Sequence, residues 1–133
     1  MSVTVLIVAL DEEQALPALV ERLAALDPRP TEILLVDGGS MDGTVEIARS
    51  AGWRVLAAER GRALQINLGV KAARSELVCV LHADTLPPTD MVAMVEQALA
   101  DPRTALASFT PVIRGPQGTR WVTTAHNLSL IHI

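Results

Sequence analysis

Short apolar runs alternate with stretches of helical period along most of this chain, and that alternation limits the fold more than any other feature. Strands joined through helices run parallel, because each crossover returns the chain to the same starting edge. The runs predict strands near Val3–Ala9, Glu32–Val36, Arg54–Ala57, Leu77–Leu81 and Ala105–Ile113. Helices are expected over about Glu12–Leu26, Gly43–Ala51, Ala63–Ala73 and Asp90–Ala100. The expected class is α/β, with helices on both faces of a mostly parallel sheet.

Local signals refine these bounds. Leu16, Leu19, Val20 and Leu23 recur at i, i+3, i+4 and i+7 and give the first helix one apolar face. Asp11 and Gln14 have the spacing of a capping box, and Glu12 and Glu13 suit the positive end of a helix dipole. Pro17 fits that helix only if it starts late. Gly52 is placed to end the second helix as a C′ residue. In the third, Leu64, Leu68 and Ala72 share a face, as do Ile66, Val70 and Ala73, so cover is expected on both flanks. Pro87-Pro88 forces a break before the fourth helix, with Asp90 in its first turn. After Ile113 the pattern weakens: Arg114–Gly118 reads as a turn, and Trp121–Ile133 as the start of a helix. Residues 1–113 therefore read as one domain, and 114–133 as the start of a missing half or a non-native tail.

Half of the 133 residues are hydrophobic, enough for one domain with a real core. Eleven basic against fifteen acidic residues give a net charge of −4 without blocks, which argues against a nucleic-acid surface. The rings Trp53, Phe109 and Trp121 are too few for a base-stacking platform. A single cysteine, Cys79, excludes an intrachain disulfide, and its apolar neighbours mark it as a small buried hydrophobe. The run Ser2–Leu10 is too short to span a bilayer and enters acidic residues directly, so the expected location is cytoplasmic.

Three polar clusters fall where predicted strands end. They are Asp11-Glu12-Glu13, Asp37 with Ser40, Asp42 and Thr44, and His82-Ala83-Asp84-Thr85. In a right-handed parallel sheet these ends share an edge, where ligands bind. Asp37 offers an acceptor to ribose hydroxyls or a base N–H, or else closes an ordinary strand-to-helix turn. Gly38 and Gly39 let backbone approach a ligand. Asp84 is the candidate first ligand of Mg²⁺ or Mn²⁺, with a helix cap as the bland alternative; His82 is a second ligand, a phosphate donor or a filler of the strand end. Arg62 opens the third helix, where it binds phosphate or a base carbonyl, or is simply solvated. Gln65 and Asn67 lie on different faces, so at most one reaches the crevice. Neither a Gly-x-Gly-x-x-Gly nor a Walker-type run occurs.

Asp37-Gly38-Gly39-Ser40-Met41-Asp42-Gly43-Thr44 resembles the Asp-x-x-Ser-x-Asp-Gly-Thr signature of family 2 glycosyltransferases. Gly61–Gly69 followed by Leu81-His82-Ala83-Asp84-Thr85 is similar to a bacterial subgroup described as radical-SAM/selenodomain-associated transferases. The resemblance covers about residues 3–113. It implies a GT-A fold with a Rossmann-like donor half, an NDP-sugar donor, an unidentified acceptor and a divalent cation. It also implies nucleotide contacts from Ala9 to Glu13 (Ala9, Asp11 and Glu13, the last facing the ribose), from Asp37 and Gly38, and from Arg62. His82-Ala83-Asp84 takes the place of the family's Asp-x-Asp, with Asp84 matching its metal-binding carboxylate and His82 replacing the first Asp. Nothing after Ile113 offers the Glu-Asp pair that supplies the general base, so slight or no turnover is expected of this chain alone. A nucleotidyltransferase and a non-catalytic nucleotide-binding fragment stay open as alternatives. So does a homo-oligomer paired through the apolar edge near Phe109–Ile113.

Overall fold

Every second residue of the first strand, β1 (Val3–Ala9), faces one side of a sheet and the residues between them face the other, and all seven are buried. That is the pattern of a central strand covered on both faces. The computed structural model describes residues 2–108, 112–114, 120–122 and 128–132. β2 (Glu32–Asp37), β3 (Arg54–Ala57) and β4 (Leu77–His82) join β1 in parallel, in the order β3-β2-β1-β4. The connections are α1 (Leu16–Ala24), α2 (Thr44–Ser50) and α3 (Arg62–Ala72), and α4 (Met91–Ala98) follows β4.

One face of the sheet presents Val5, Ile7, Leu35, Cys79 and Leu81 to Leu16, Leu19 and Leu23 of α1, Ala48 of α2, and Met91, Val92 and Val95 of α4. The other face presents Leu6, Leu34, Val36, Val78 and Val80 to Ile66, Leu68, Val70 and Ala72 of α3. The result is the expected three-layer α/β/α arrangement. Each Val, Leu, Ile or Met side chain among them taken fully out of water contributes roughly 1.5–3 kcal/mol. Cys79 is part of this core, 3.9 Å from the Met91 sulfur, and burial pushes its thiol up to about 12. α3 comes close to the sheet at Gly69, where a Cβ would lie 2.3 Å from Leu6 Cδ1. Its other flank is only partly covered, since Leu64 is half exposed.

Helix ends depart from the expected caps. α1 begins at Leu16 with Pro17 in its first turn, and its N-cap, Ala15, makes no side-chain cap bond. Asp11 and Gln14 are therefore not a capping box, because proline, which lacks an N–H, moves the helix start to its own position. Asp90 is the N-cap of α4, likewise without a side-chain bond. Gly52 does end α2 in the left-handed region, φ 81°, with Trp53 N–H donating to the Ala48 carbonyl.

The region beyond α4 differs most from expectation. The strand expected over Ala105–Ile113 is divided into β5 (Leu106–Ser108) and β6 (Val112–Arg114), which lie in different sheets. β6 pairs with β7 (Arg120–Val122) as a two-stranded antiparallel unit. The helix expected over Trp121–Ile133 is absent from its described parts: Trp121 lies in β7, and β8 (Leu128–His132) runs antiparallel between β4 and β5. The open side of β4 offers a full ladder of backbone bonds, which outweighs helical tendency in so short an apolar segment. Arg114 belongs to β6, while the rest of the expected turn, 115–118, and residues 109–111 of the apolar edge lie outside the described residues.

Candidate functional site

The strand order reverses at β1: β2 and β3 lie on one side of it and β4 on the other. A crevice opens at such a switch point, beyond the carboxyl ends of the strands. The register pairs Ala9 with Asp37 and Val8 with His82, so three strand ends finish level. At roughly 4.8 Å per strand, Asp37 and His82 stand about 10 Å apart across β1, on one edge of the sheet. The three polar clusters are thereby brought together.

Asp37 is buried at 6% exposure, and its carboxylate closes its own loop. Oδ2 accepts from the backbone N–H of Gly39 (3.1 Å) and Ser40 (2.9 Å), and Oδ1 from the Ser40 hydroxyl (2.5 Å). A carboxylate has about four acceptor sites, so one remains for a ligand. Gly39 takes φ 99° to make this turn. Gly38 is buried, and its N–H donates to the Ala9 carbonyl at 3.0 Å.

The loops after β1 and β2 are interlocked. Asp11 N–H donates to Ser40 Oγ (2.8 Å), Glu12 N–H to Thr44 Oγ1 (2.8 Å) and Glu13 N–H to Asp42 Oδ2 (3.2 Å). In return, Met41 N–H donates to Asp11 Oδ1 and Gly43 N–H to Glu13 Oε2, both at 2.8 Å. The Thr44 hydroxyl also donates to Asp42, which holds that carboxyl below its usual range. The polar residues of the Asp37–Thr44 segment thus fix the conformation of residues 11–13, Asp11 at φ 51° included. Glu13, expected to face a ligand, spends one oxygen on the start of α2, while Ala9 has its carbonyl filled by two donors and forms crevice floor.

Glu12, between them, is half-buried and lies within electrostatic reach of Asp84 and Asp42. Its pKa is raised, first by burial and then by the negative charges of Asp84 and Asp42. Asp84 is exposed, and among the described residues its carboxylate accepts a hydrogen bond only from the Thr85 hydroxyl, at 3.4 Å. α4 starts at Met91, so Asp84 is not its cap. Beside it, His82 Nδ1 lies 3.5 Å from an Arg62 guanidinium nitrogen. Burial, then Arg62, pull the His82 pKa below its ordinary 6.5 despite the opposing pull of Asp84, so the ring is neutral at pH 7. Arg62 itself is the exposed first residue of α3, following Gly61 at φ 147°.

Among the described residues no three His, Cys, Asp or Glu side chains converge as an all-protein metal cage would require. The donor set instead suits a hard cation that keeps waters and phosphate oxygens around one or two protein ligands. Asp84 has free lone pairs for that purpose, whereas neutral His82, whose Nδ1 accepts from Arg62, carries its ring proton on Nε2 and offers a donor to a phosphate oxygen.

Residues 4–132 match the family model described as glycosyl transferase family 2. The chain belongs to this family. It is 33% identical over 109 residues to an undecaprenyl-phosphate 4-deoxy-4-formamido-L-arabinose transferase of Aeromonas hydrophila, a match covering 73% of this chain and 33% of the relative. It is 28% identical over 119 residues to a poly-beta-1,6-N-acetyl-D-glucosamine synthase of Staphylococcus aureus, covering 84% and 29% of the two chains. The family 2 chain spans about a third of these curated relatives. Among solved structures, a mannosyltransferase from Pyrobaculum calidifontis in complex with GDP-Man and Mn²⁺ superposes with a TM-score of 0.74 at 22% identity, covering 98% of this chain and 44% of that one. Glucosyl-3-phosphoglycerate synthase from Mycobacterium tuberculosis, in complex with Mn²⁺, UDP and glucosyl-3-phosphoglycerate, gives a TM-score of 0.64 at 21% identity, covering 79% and 42%. The fold is that of the GT-A glycosyltransferases.

Sequence reasoning about this family 2 chain left Gln65 and Asn67 undecided, and the structure selects Gln65; it passed over Glu12. Gln65 is buried beneath the crevice, where its amide nitrogen donates to the carbonyls of Ala9 and Val36, both at 3.0 Å. A Cβ on Gly38 would lie 3.0 Å from that amide, so Gln65 is what demands glycine there. Its signal was a polar residue between apolar neighbours on a helix expected to be covered on both flanks. Glu12 was passed over because three consecutive acidic residues give no sign of which one turns inward.

Proposed function

We propose that this chain is the donor-binding half of a glycosyltransferase that transfers a sugar from a nucleoside diphosphate to an acceptor. One observation carries the reading: Asp37, Glu12 and Asp84 end three adjacent strands or their loops on one edge, at the switch point of a family 2 fold. The roughly 10 Å from Asp37 to His82 suits a nucleoside at the Asp37 end and a diphosphate at the Asp84 end. Asp37, Gly38 and the Ala9–Glu13 segment, Asp11 included, would shape the nucleoside side, with Arg62 approaching from α3. Asp84 would hold Mg²⁺ or Mn²⁺, joined by His82 where its Nδ1 turns from Arg62 to the cation; such a cation stabilises the charge of a departing diphosphate. The complexes of the mannosyltransferase and the phosphoglycerate synthase with Mn²⁺ and nucleotides support both assignments.

The pairing of Gly61–Gly69 with His82-Ala83-Asp84 favours the radical-SAM/selenodomain-associated subgroup. Residues 1–113 form the body of the donor unit, and of 114–133 the strand β8 adds to its sheet and so belongs with it. The acidic loop after β1 disfavours a nucleotidyltransferase, since it would repel a triphosphate. Calorimetry with UDP and GDP, with and without Mn²⁺, on wild type and Asp84→Ala tests the reading. Metal-dependent binding lost in the variant is expected. Equal metal-dependent affinity in both removes Asp84 from the metal site, and no binding of either nucleotide refutes the donor reading.

A further inference from the structure

A concave site lies at the opposite edge of the sheet, remote from the crevice. A cleft of about 470 Å³ opens between the end of α1, the segment Arg29–Ile33 and the start of β3. Val20, Leu23, Ile33 and Trp53 supply its apolar wall, and three arginines, Arg29, Arg54 and Arg74, line it together with one carboxylate, Glu32. Its volume falls within the range of small-molecule sites, roughly 300–1,000 Å³.

The charges in this cleft do not cancel. Three contacts hold Glu32: Oε1 accepts from the Thr4 hydroxyl (2.9 Å) and the Arg74 backbone N–H (2.6 Å), and Oε2 pairs with Arg54 at 3.5 Å. Arg54 also donates to the Ala72 carbonyl at the end of α3, at 2.8 Å. These contacts leave Arg29 and Arg74, whose guanidinium groups have no partner among the described residues. The cleft lies beyond the C-terminal ends of α1, α2 and α3, where a cation offsets the dipole; Arg22, Arg49 and Lys71 already occupy the last turns, and Arg29 and Arg74 come in addition, from the loops that follow α1 and α3. In a chain of net charge −4, two uncompensated guanidinium groups and a third half-committed one share a single cleft.

We propose that this cleft binds a small phosphate-bearing anion, held by Arg29 and Arg74, with its less polar part against Trp53 and Ile33. Guanidinium matches phosphate through paired N–H donors, and a recessed cleft with an apolar wall suits a phosphate ester better than a free ion. The site is separate from the donor crevice and does not depend on the transferase reading.

Pyrophosphate, in buffer free of divalent cations, is the probe. It is titrated into the labelled chain while backbone and indole N–H resonances are followed. Saturable shifts are expected at Thr31, Gly52 and the Trp53 indole, with none of comparable size at Gly38 or Asp84. Arg29→Ala and Arg74→Ala should each weaken binding about tenfold, the size of one charge-assisted contact, and the double variant should abolish it. Arg49→Ala, outside the cleft, should leave affinity unchanged. Neither loop arginine has a side-chain partner, so thermal midpoints are expected to stay at the wild-type value. Co-sedimentation with phosphatidylglycerol vesicles, against phosphatidylcholine, separates the two sources of phosphate: lipid binding that needs Arg29 and Arg74 assigns the anion to a headgroup. Absence of both saturable pyrophosphate binding and arginine-dependent vesicle binding overturns the proposal, as does a double variant that binds like wild type.

Discussion

The side-chain nitrogen of Gln65 lies 3.0 Å from the carbonyl oxygen of Ala9, the last residue of β1, and at the same distance from that of Val36 in β2. One amide therefore ties α3 to two strand ends directly beneath the crevice, and at 5% exposure it does so out of reach of bulk water. Gly38, whose N–H shares the Ala9 carbonyl, completes the junction.

Gln65→Leu should lower stability by about 1–3 kcal/mol, because both bonds are lost in a buried place. Gln65→Glu should fare no better, since a carboxylate would face two carbonyls. Urea midpoints measure this. A leucine variant as stable as wild type would show that the two carbonyls need no donor from α3.

Thr44 performs the corresponding task between the first two loops. Fully buried, its hydroxyl accepts from Glu12 N–H and donates to Asp42. Thr44→Val keeps the shape and removes the hydroxyl, and it should cost about 1–3 kcal/mol. Amide exchange at Glu12 should quicken, while Thr44→Ser restores most of the protection. Unchanged exchange in the valine variant would detach Thr44 from the conformation of residues 11–13.

How much of this was legible in the sequence follows from the range of each interaction. The four parallel strands stood out because a strand buried on both faces reads as an unbroken apolar run, as Val3–Ala9 and Leu77–Leu81 do. Their carboxyl ends then located Asp37 and Asp84 on a common edge through topology alone. The interlock of residues 11–13 with 40–44 was hidden, because its partners are about thirty residues apart and no local spacing announces them. The same holds for Gln65, whose partners are 56 and 29 residues away. Asp11 and Gln14 illustrate the opposite failure. Their capping spacing was genuine, but Pro17 and the N–H of Met41 offered better terms, and Asp11 turned to the neighbouring loop.

Gly69→Ala offers a packing test. In an exposed helix the change would stabilise, since alanine is the better helix former by about 1 kcal/mol. Here the added methyl would lie 2.3 Å from Leu6 Cδ1 and 2.7 Å from Cδ2. α3 must lift or Leu6 must leave its place, at a cost of about 1–3 kcal/mol. Combining Gly69→Ala with Leu6→Val should cost less than the sum of the two single changes, as expected of residues in contact. Strict additivity of denaturation midpoints would place the strain elsewhere.

Glu12 is the residue at which stability and the crevice conflict. Burial and the charges of Asp84 and Asp42 raise its pKa above the ordinary value near 4.5. An acid whose folded pKa is raised contributes full stability below its unfolded value and loses that contribution as pH rises through the folded value. Wild type should therefore lose stability from about pH 4.5 upward through this group, a loss that Glu12→Gln escapes. At pH 7 the variant should melt higher by roughly 1–3 °C, the scale of relieving one repulsive surface charge, and at pH 4 the two should coincide. Calorimetric melting at the two pH values decides the matter. A variant less stable at pH 7, or an advantage that persists at pH 4, would mean that the Glu12 carboxylate is held by attraction and not confined against its neighbours.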